Sequence, residues 1–190
     1  FKVMLIISVC VGVGAIFYRN EIMALLYLSG DAYSGSIFGW LMVSFICISL
    51  TYIYGSLLTA GGKIALLNKI SLVGFAINLI FNLLLIPKYL ALGSAIATVA
   101  AQILVLFAHV IASEKSFQLT KSLQQWLKSA LFIAMVVGIN LLIAQLHINW
   151  VYALVISGLV SFLAVFPSTI LTVSEVRQFL RTMSGEVSKK

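Results

Sequence analysis

The chain has 190 residues, of which 62% are hydrophobic and 9% are charged. A soluble domain is typically about 45–50% apolar and about 25% charged, so this composition indicates a membrane protein and argues against a soluble enzyme. The net charge of +7 would also suit a nucleic-acid partner. The cations are spread along the chain in the pattern of membrane topology, however, so we expect no nucleic-acid binding.

Six apolar stretches recur along the chain, and a helix needs about 20 residues to span a bilayer. The stretches cover residues 3–17, 37–60, 66–86, 92–112, 127–146 and 151–173. They predict an all-α fold, a polytopic bundle of about six transmembrane helices. Because the first stretch is short and the chain starts at Phe1, we expect earlier helices of a longer protein to precede it. A cleaved signal peptide at 1–19 is the alternative.

The basic residues separate onto two sides when the six predicted helices are placed in order. One side carries Arg19 and Lys88. The other side carries Lys2, Lys63, Lys69, Lys115, Lys121, Lys128, Arg177, Arg181, Lys189 and Lys190. Cytoplasmic loops of membrane proteins are enriched in Lys and Arg. We therefore expect a multi-pass protein with both ends of this chain in the cytoplasm.

Two segments have the pattern of short amphipathic helices at the membrane surface. The first, residues 113–128, would link four helices at 1–112 to a further helix pair at 129–173. The second is the tail at 174–190, where Phe179 and Leu180 lie on one face and Arg177 and Arg181 on another. A third short helix is expected in the outward connection that follows Arg19, ending at Gly30.

Two of the predicted helices carry a face of polar or small residues that spans about 80°, at 100° per residue. In the third stretch the face consists of Ser71, Gly74, Asn78 and Asn82. In the second stretch it consists of Ser44, Thr51, Gly55 and Thr59. Two interpretations stay open: the polar groups bond across to another helix, or they line an aqueous path for a polar substrate.

A helical hairpin is predicted where the third stretch meets the fourth. Pro87 is expected to end the third helix near the outer surface. Gly93, Ala97 and Ala101 then recur at four-residue intervals, a spacing that lets a neighbouring helix approach closely.

Acidic residues avoid the apolar stretches, and this limits the chemistry. The five acids are Glu21, Asp31, Glu114, Glu175 and Glu186, all in predicted loops or tails. The sequence has no nucleophile elbow, zinc-binding helix or phosphate-binding loop. We therefore expect no enzyme, no metal and no cofactor, and we interpret Cys10 and Cys47 as packing residues.

Three motifs follow one another in a specific order. They are YGSLLTAGG at 54–62, NLIFNLLLIPKY at 78–89 and GSAIAT at 93–98. This order resembles the Wzx-type oligosaccharide flippases, or polysaccharide transporters, of the superfamily that includes the MATE multidrug transporters. The resemblance covers roughly residues 1–112. The chain departs from the family pattern at Leu90, where glycine is usual, and at Ser94, where alanine is usual.

The resemblance implies that the chain is the C-terminal lobe of a two-lobe transporter that works by alternating access in the bacterial inner membrane. The cargo would be a polyprenyl-diphosphate-linked oligosaccharide for O-antigen, capsule or exopolysaccharide synthesis. Its partners would be that substrate, the lipid bilayer, the missing N-terminal lobe, and polysaccharide polymerase or glycosyltransferase machinery.

The same resemblance implies roles for individual residues. The substrate path would be lined by Ser71, Asn78, Asn82, Ser44, Thr51 and Thr59. Lys63 and Lys69 are the candidates for contact with the diphosphate, although membrane topology alone also explains their position and is the preferred interpretation. The alternatives are a MATE-type drug or metabolite antiporter, an integral membrane glycosyl- or acyltransferase, and a structural membrane subunit.

Overall fold

A computed structural model describes residues 2–27, 31–118, 123–146 and 148–164, and every regular element among them is an α-helix. The helices are α1 (Lys2–Phe17), α2 (Arg19–Leu26), α3 (Ala32–Ala60), α4 (Ile64–Phe117), α5 (Leu123–Ala144) and α6 (Trp150–Leu163). The all-α prediction is confirmed for these residues. The tail predicted at 174–190 lies outside them.

Among the described residues, three helices are long and apolar enough to cross a bilayer: α3, α4, and residues Leu127–Ala144 of α5. α1 and α2 are bent by 78° relative to each other and add a fourth span if the pair counts as one. α6 has 14 residues. The helices therefore form a membrane bundle, while the count of six spans stays a prediction.

The surface of this bundle is suited to lipid. Leu72, Phe75 and Leu83 of α4 expose 69%, 66% and 68% of their surface. A soluble monomer rarely exposes contiguous apolar patches larger than a few hundred Å². Exposure of this kind along a helix is the pattern expected where acyl chains replace water as the solvent.

The core lies around α1, which packs against α3, α5 and α6. Its largest cluster joins Ile6 and Val9 of α1 to Phe132 and Val136 of α5. These four side chains are at most 2% exposed. α3 in turn packs along α4, and this second pairing forms the grooves described below.

α4 is a helical hairpin that folds back at Leu90. This residue has φ 53° and ψ −132°, inside a run that is otherwise helical. We call residues 64–89 the first arm and residues 91–117 the second arm. A Cβ added at Gly93 would collide with the backbone of Leu85, and one added at Gly74 would collide with the Val105 side chain. The two arms therefore lie against each other in opposite directions.

The corner of the hairpin lies at Leu90 rather than at Pro87, where the sequence predicted the end of the helix. Proline lacks the backbone N–H, but its fixed φ of about −65° is compatible with a helix. The helix therefore continues through Pro87, and it breaks only where the backbone takes a positive φ, at Leu90.

Tyr33, in the first turn of α3, bridges this corner. Its hydroxyl donates a hydrogen bond to the Tyr89 carbonyl oxygen at 3.1 Å and accepts one from the Leu92 N–H at 3.2 Å. One side chain thus partners a backbone acceptor before the break and a backbone donor after it. Such groups are left without helical partners when a helix is interrupted.

Asp31 fixes the start of α3 beside Tyr33. Its Oδ1 accepts a hydrogen bond from the Ser34 N–H at 2.8 Å, and the Ser34 hydroxyl oxygen accepts one from the Asp31 N–H at 3.0 Å. This reciprocal arrangement is a capping box. The hydrogen bond from the Ser34 backbone lowers the pKa of the Asp31 carboxyl, so the cap is ionised at neutral pH.

The cations of the described segments separate between the two ends of the bundle. The end with the Leu90 corner carries Arg19 and Lys88, and the Arg19 side chain contacts the start of α3. At the opposite end, Phe117 packs over Gly61 in the turn between α3 and α4. That end carries Lys2, Lys63, Lys115 and Lys128. The separation agrees with the sorting made from the sequence, and the direction of the bundle in the membrane stays a prediction.

Replacing Leu90 with glycine is expected to stabilise the fold. Leucine at φ 53° is strained, whereas glycine adopts this conformation freely. Since Leu90 is 68% exposed, little packing is lost. We expect the free energy of unfolding to rise by about 1 kcal/mol, measured by thermal unfolding in detergent. Leu84→Gly, at a 61% exposed helical position, should instead lose about 1 kcal/mol.

Replacing Tyr33 with phenylalanine removes both hydrogen bonds across the corner and keeps the ring. We expect a loss of about 1 kcal/mol in the free energy of unfolding. Tyr152→Phe, at a 69% exposed position of α6, is the matched control. Equal unfolding midpoints for the two variants would show that Tyr33 does not hold the corner.

Candidate functional site

A groove of about 670 Å³ runs between α3 and the two arms of α4. Its polar lining comes from all three segments and consists of Thr51, Tyr52, Ser56, Thr59, Ser71, Gln102 and His109. Among the described residues that line it, none is Asp, Glu, Lys or Arg. The groove therefore carries a set of polar, uncharged side chains, in a bundle whose outer surface is apolar.

Helical periodicity explains why these side chains meet. Thr51, Gly55 and Thr59 are spaced by four residues, which places them on one face of α3. Gln102 and His109 are seven residues apart, two turns along one face of the second arm. The reversal at Leu90 brings this second face alongside α3 and the first arm.

The serine and threonine hydroxyls that α3 contributes to the groove are engaged as donors by their own helix. Thr51, Ser56 and Thr59 each donate to the carbonyl oxygen four residues earlier, at 2.7 to 2.9 Å. A hydroxyl has one donor and two acceptor lone pairs. With the proton already used, these three oxygens can serve a ligand only as hydrogen-bond acceptors.

His109 is buried at 3% exposure and adds a further acceptor. Its Nδ1 lies 2.9 Å from the Val105 carbonyl oxygen. A carbonyl oxygen only accepts, so Nδ1 carries the proton, and in the neutral ring Nε2 is then an acceptor. The groove therefore offers acceptors from these groups and donors from the Gln102 amide and the Tyr52 and Ser71 hydroxyls. This uncharged mixture of donors and acceptors matches a ligand with many hydroxyl groups, since a hydroxyl both donates and accepts.

Three of the six residues predicted to line a substrate path meet in this groove: Thr51, Thr59 and Ser71. Ser44 shares their face of α3 but is buried at 2% exposure, beyond the end of the groove. Thr51 and Thr59, two of the residues predicted on this face of α3, therefore lie about two helical turns apart along the groove.

Asn78 and Asn82 lie farther along the first arm, half-buried and outside the groove. The Asn82 Nδ2 donates to the Asn78 Oδ1 and to the Asn78 carbonyl oxygen, each at 2.8 Å. The two amides thus bond within their own helix. In this structure they neither bond across to another helix nor line the groove.

The other predicted positions fall into two groups. Gly93, Ala97 and Ala101 are buried on the second arm, as a small ridge at a helix interface requires. Lys63 is exposed in the turn before α4, and Lys69 lines a separate cleft of about 240 Å³. Neither lysine lines the groove, so the structure does not bring the predicted diphosphate contacts into it.

Gln102, His109 and Ser56 are groove residues that the sequence did not assign to a site. The available signal was the seven-residue spacing of Gln102 and His109 on one helical face.

Within the described segments, no group of three or more His, Cys, Asp or Glu could hold a metal ion. Cys10 and Cys47 are both free.

Comparison with known proteins supports the membrane assignment. The chain is 29% identical over 150 residues to an uncharacterized membrane protein of Methanocaldococcus jannaschii. The alignment covers 73% of this chain and 29% of that protein, so the chain spans less than a third of its relative's length. No family model matches the chain, and no solved structure matches it.

A double-mutant cycle tests the pairing of Asn78 with Asn82. Replacing either residue alone with leucine leaves one amide without its partner, whereas replacing both leaves no orphan. We expect a coupling free energy of about 0.5 kcal/mol, close to that of other hydrogen bonds in membrane helices. The measurement is thermal unfolding of the four proteins in one detergent. Strictly additive effects would contradict the pairing.

Proposed function

We propose that this chain forms the C-terminal lobe of a Wzx-type flippase. In this proposal it moves a polyprenyl-diphosphate-linked oligosaccharide from the cytoplasmic to the outer face of the inner membrane, for surface polysaccharide synthesis. The observation that carries the proposal is the groove between α3 and α4, whose described lining is uncharged and offers both hydrogen-bond donors and acceptors. The order of sequence motifs and the membrane bundle support it.

The chemistry of the cargo explains why such a groove is useful. A glycan leaving water must exchange its hydrogen bonds for others, because each buried polar group left unpaired costs about 1–3 kcal/mol. Glycan hydroxyls both donate and accept. The hydroxyl oxygens of Thr51 and Thr59 and the His109 ring offer acceptors, and the Gln102 amide offers donors. The lipid part of the cargo needs no such exchange, since it stays among acyl chains.

The position of the groove suits the loading of substrate. Its lining residues lie in the half of the bundle nearer the α3–α4 turn. If that turn is cytoplasmic, as the distribution of cations predicts, the groove begins on the side where the lipid-linked oligosaccharide is made. The N-terminal lobe would close the other side of the cavity, and rocking of the two lobes would expose it outward.

The test uses a bacterial strain that lacks the parent gene and has no second flippase. We expect it to accumulate lipid-linked repeat units on the cytoplasmic face and to lose surface glycan, and the unaltered gene should restore both. Normal surface glycan in the deletion strain would overturn the proposal.

Groove variants tested in that strain should separate transport from folding. The double variant Thr51→Val, Gln102→Leu removes two polar groups from the groove. We expect the transport rate to fall about tenfold, since each lost hydrogen bond contributes about 0.5–1.5 kcal/mol. Thr98→Val is the matched control, because Thr98 also donates to its own helix at 2.9 Å but lies outside the groove. Equal effects of the two variants would remove the groove from the transport path.

A further inference from the structure

A second, smaller cleft lies between the two arms of α4 and shares Val105 with the groove. It extends from Lys69 to Ile77 on the first arm, which is about 12 Å at 1.5 Å per residue. Apart from Lys69 its lining is aliphatic or glycine. The cleft is therefore apolar along its length and has one cation, Lys69, at its end.

The walls of the cleft leave it open to lipid. Its floor is the close contact between Gly74 and Val105, which brings the two arms together. Its rims are Val73 and Leu104, which are 58% and 46% exposed. A lipid acyl chain lying between these rims would contact aliphatic side chains on two sides and the bilayer on the third.

Lys69 has no carboxylate partner in the described part of the chain. It lies five residues from the start of α4, near the end of the bundle that carries most of the described cations. A lysine at this depth extends its stem along apolar surface and places its ammonium group at the level of the lipid head groups. The phosphate of an anionic lipid is the complementary group at that level.

We propose that this cleft binds an anionic glycerophospholipid, with one acyl chain between the arms and the lipid phosphate at the Lys69 ammonium group. The proposal is independent of the flippase function. The competing occupant is the polyprenyl diphosphate of a transport substrate. The geometry favours the phospholipid, because Lys69 does not line the groove that would hold the attached glycan.

The experiment compares lipid binding to the full chain by native mass spectrometry. The probes are phosphatidylglycerol and phosphatidylcholine with the same acyl chains. We expect phosphatidylglycerol to bind about fivefold more tightly, since one lysine near anionic lipid contributes about that factor. Lys69→Gln should reduce the ratio to about one. Lys88→Gln, which changes an exposed cation at the opposite end of the bundle, should leave the ratio unchanged.

A second variant tests the acyl-chain part of the cleft. Ala108→Phe fills the cleft and keeps Lys69, so it should weaken binding of both lipids, with an unfolding midpoint measured without lipid as the folding control. If Lys69→Gln still bound phosphatidylglycerol more tightly than phosphatidylcholine by the same factor as the unaltered chain, the proposal would be overturned. It would also be overturned if polyprenyl phosphate displaced phosphatidylglycerol at equal concentration, which would assign the cleft to substrate.

Discussion

The reversal of α4 at one residue determines the architecture around both cavities. A straight helix of 54 residues would be about 81 Å long, far more than the ~30 Å hydrocarbon thickness of a bilayer. Folding at Leu90 converts it into two arms of suitable length and lays both beside α3. The Tyr33 hydroxyl ties α3 to each side of the corner, and packing of α3 along α4 extends that contact.

Hydrogen bonds inside the helices that form the groove determine which of its hydroxyl groups can still donate and which can only accept. Serine and threonine hydroxyls in a helix commonly donate to the carbonyl four residues earlier, and the three that α3 contributes to the groove do so here. The same pattern leaves acceptor lone pairs without adding charge. A membrane protein can thus keep a path polar without the large cost of burying an ion.

The sequence predicted what depends on one helix at a time, together with the hairpin and the small-residue ridge of its second arm. It did not predict which faces of α3 and α4 meet. Composition and apolar length indicated a helical membrane bundle. The four-residue spacing of Thr51 and Thr59 correctly placed them on one face, because that angle is a property of α3 alone. Which helix lies opposite depends on the corner of α4, so Gln102 and His109 were not recognised as their neighbours.

The asparagines and the corner show two further limits of sequence reasoning. Asn78 and Asn82 were expected either to bond to another helix or to line the path, yet at four-residue spacing they are close enough to bond each other. The corner was placed at proline because proline disfavours helix. The residue that turns the chain is a leucine, which intrinsic preference would not select for a positive φ.

Val105 forms part of the wall of both cavities, with its side chain between the groove and the cleft of Lys69. A displacement of this one side chain would change the shape of both spaces at once. Thermodynamic linkage is reciprocal, so under the two proposals above a lipid that displaces Val105 would change glycan affinity by the same factor as glycan changes lipid affinity. The composition of the surrounding membrane would then act as an allosteric effector of transport, through a single valine.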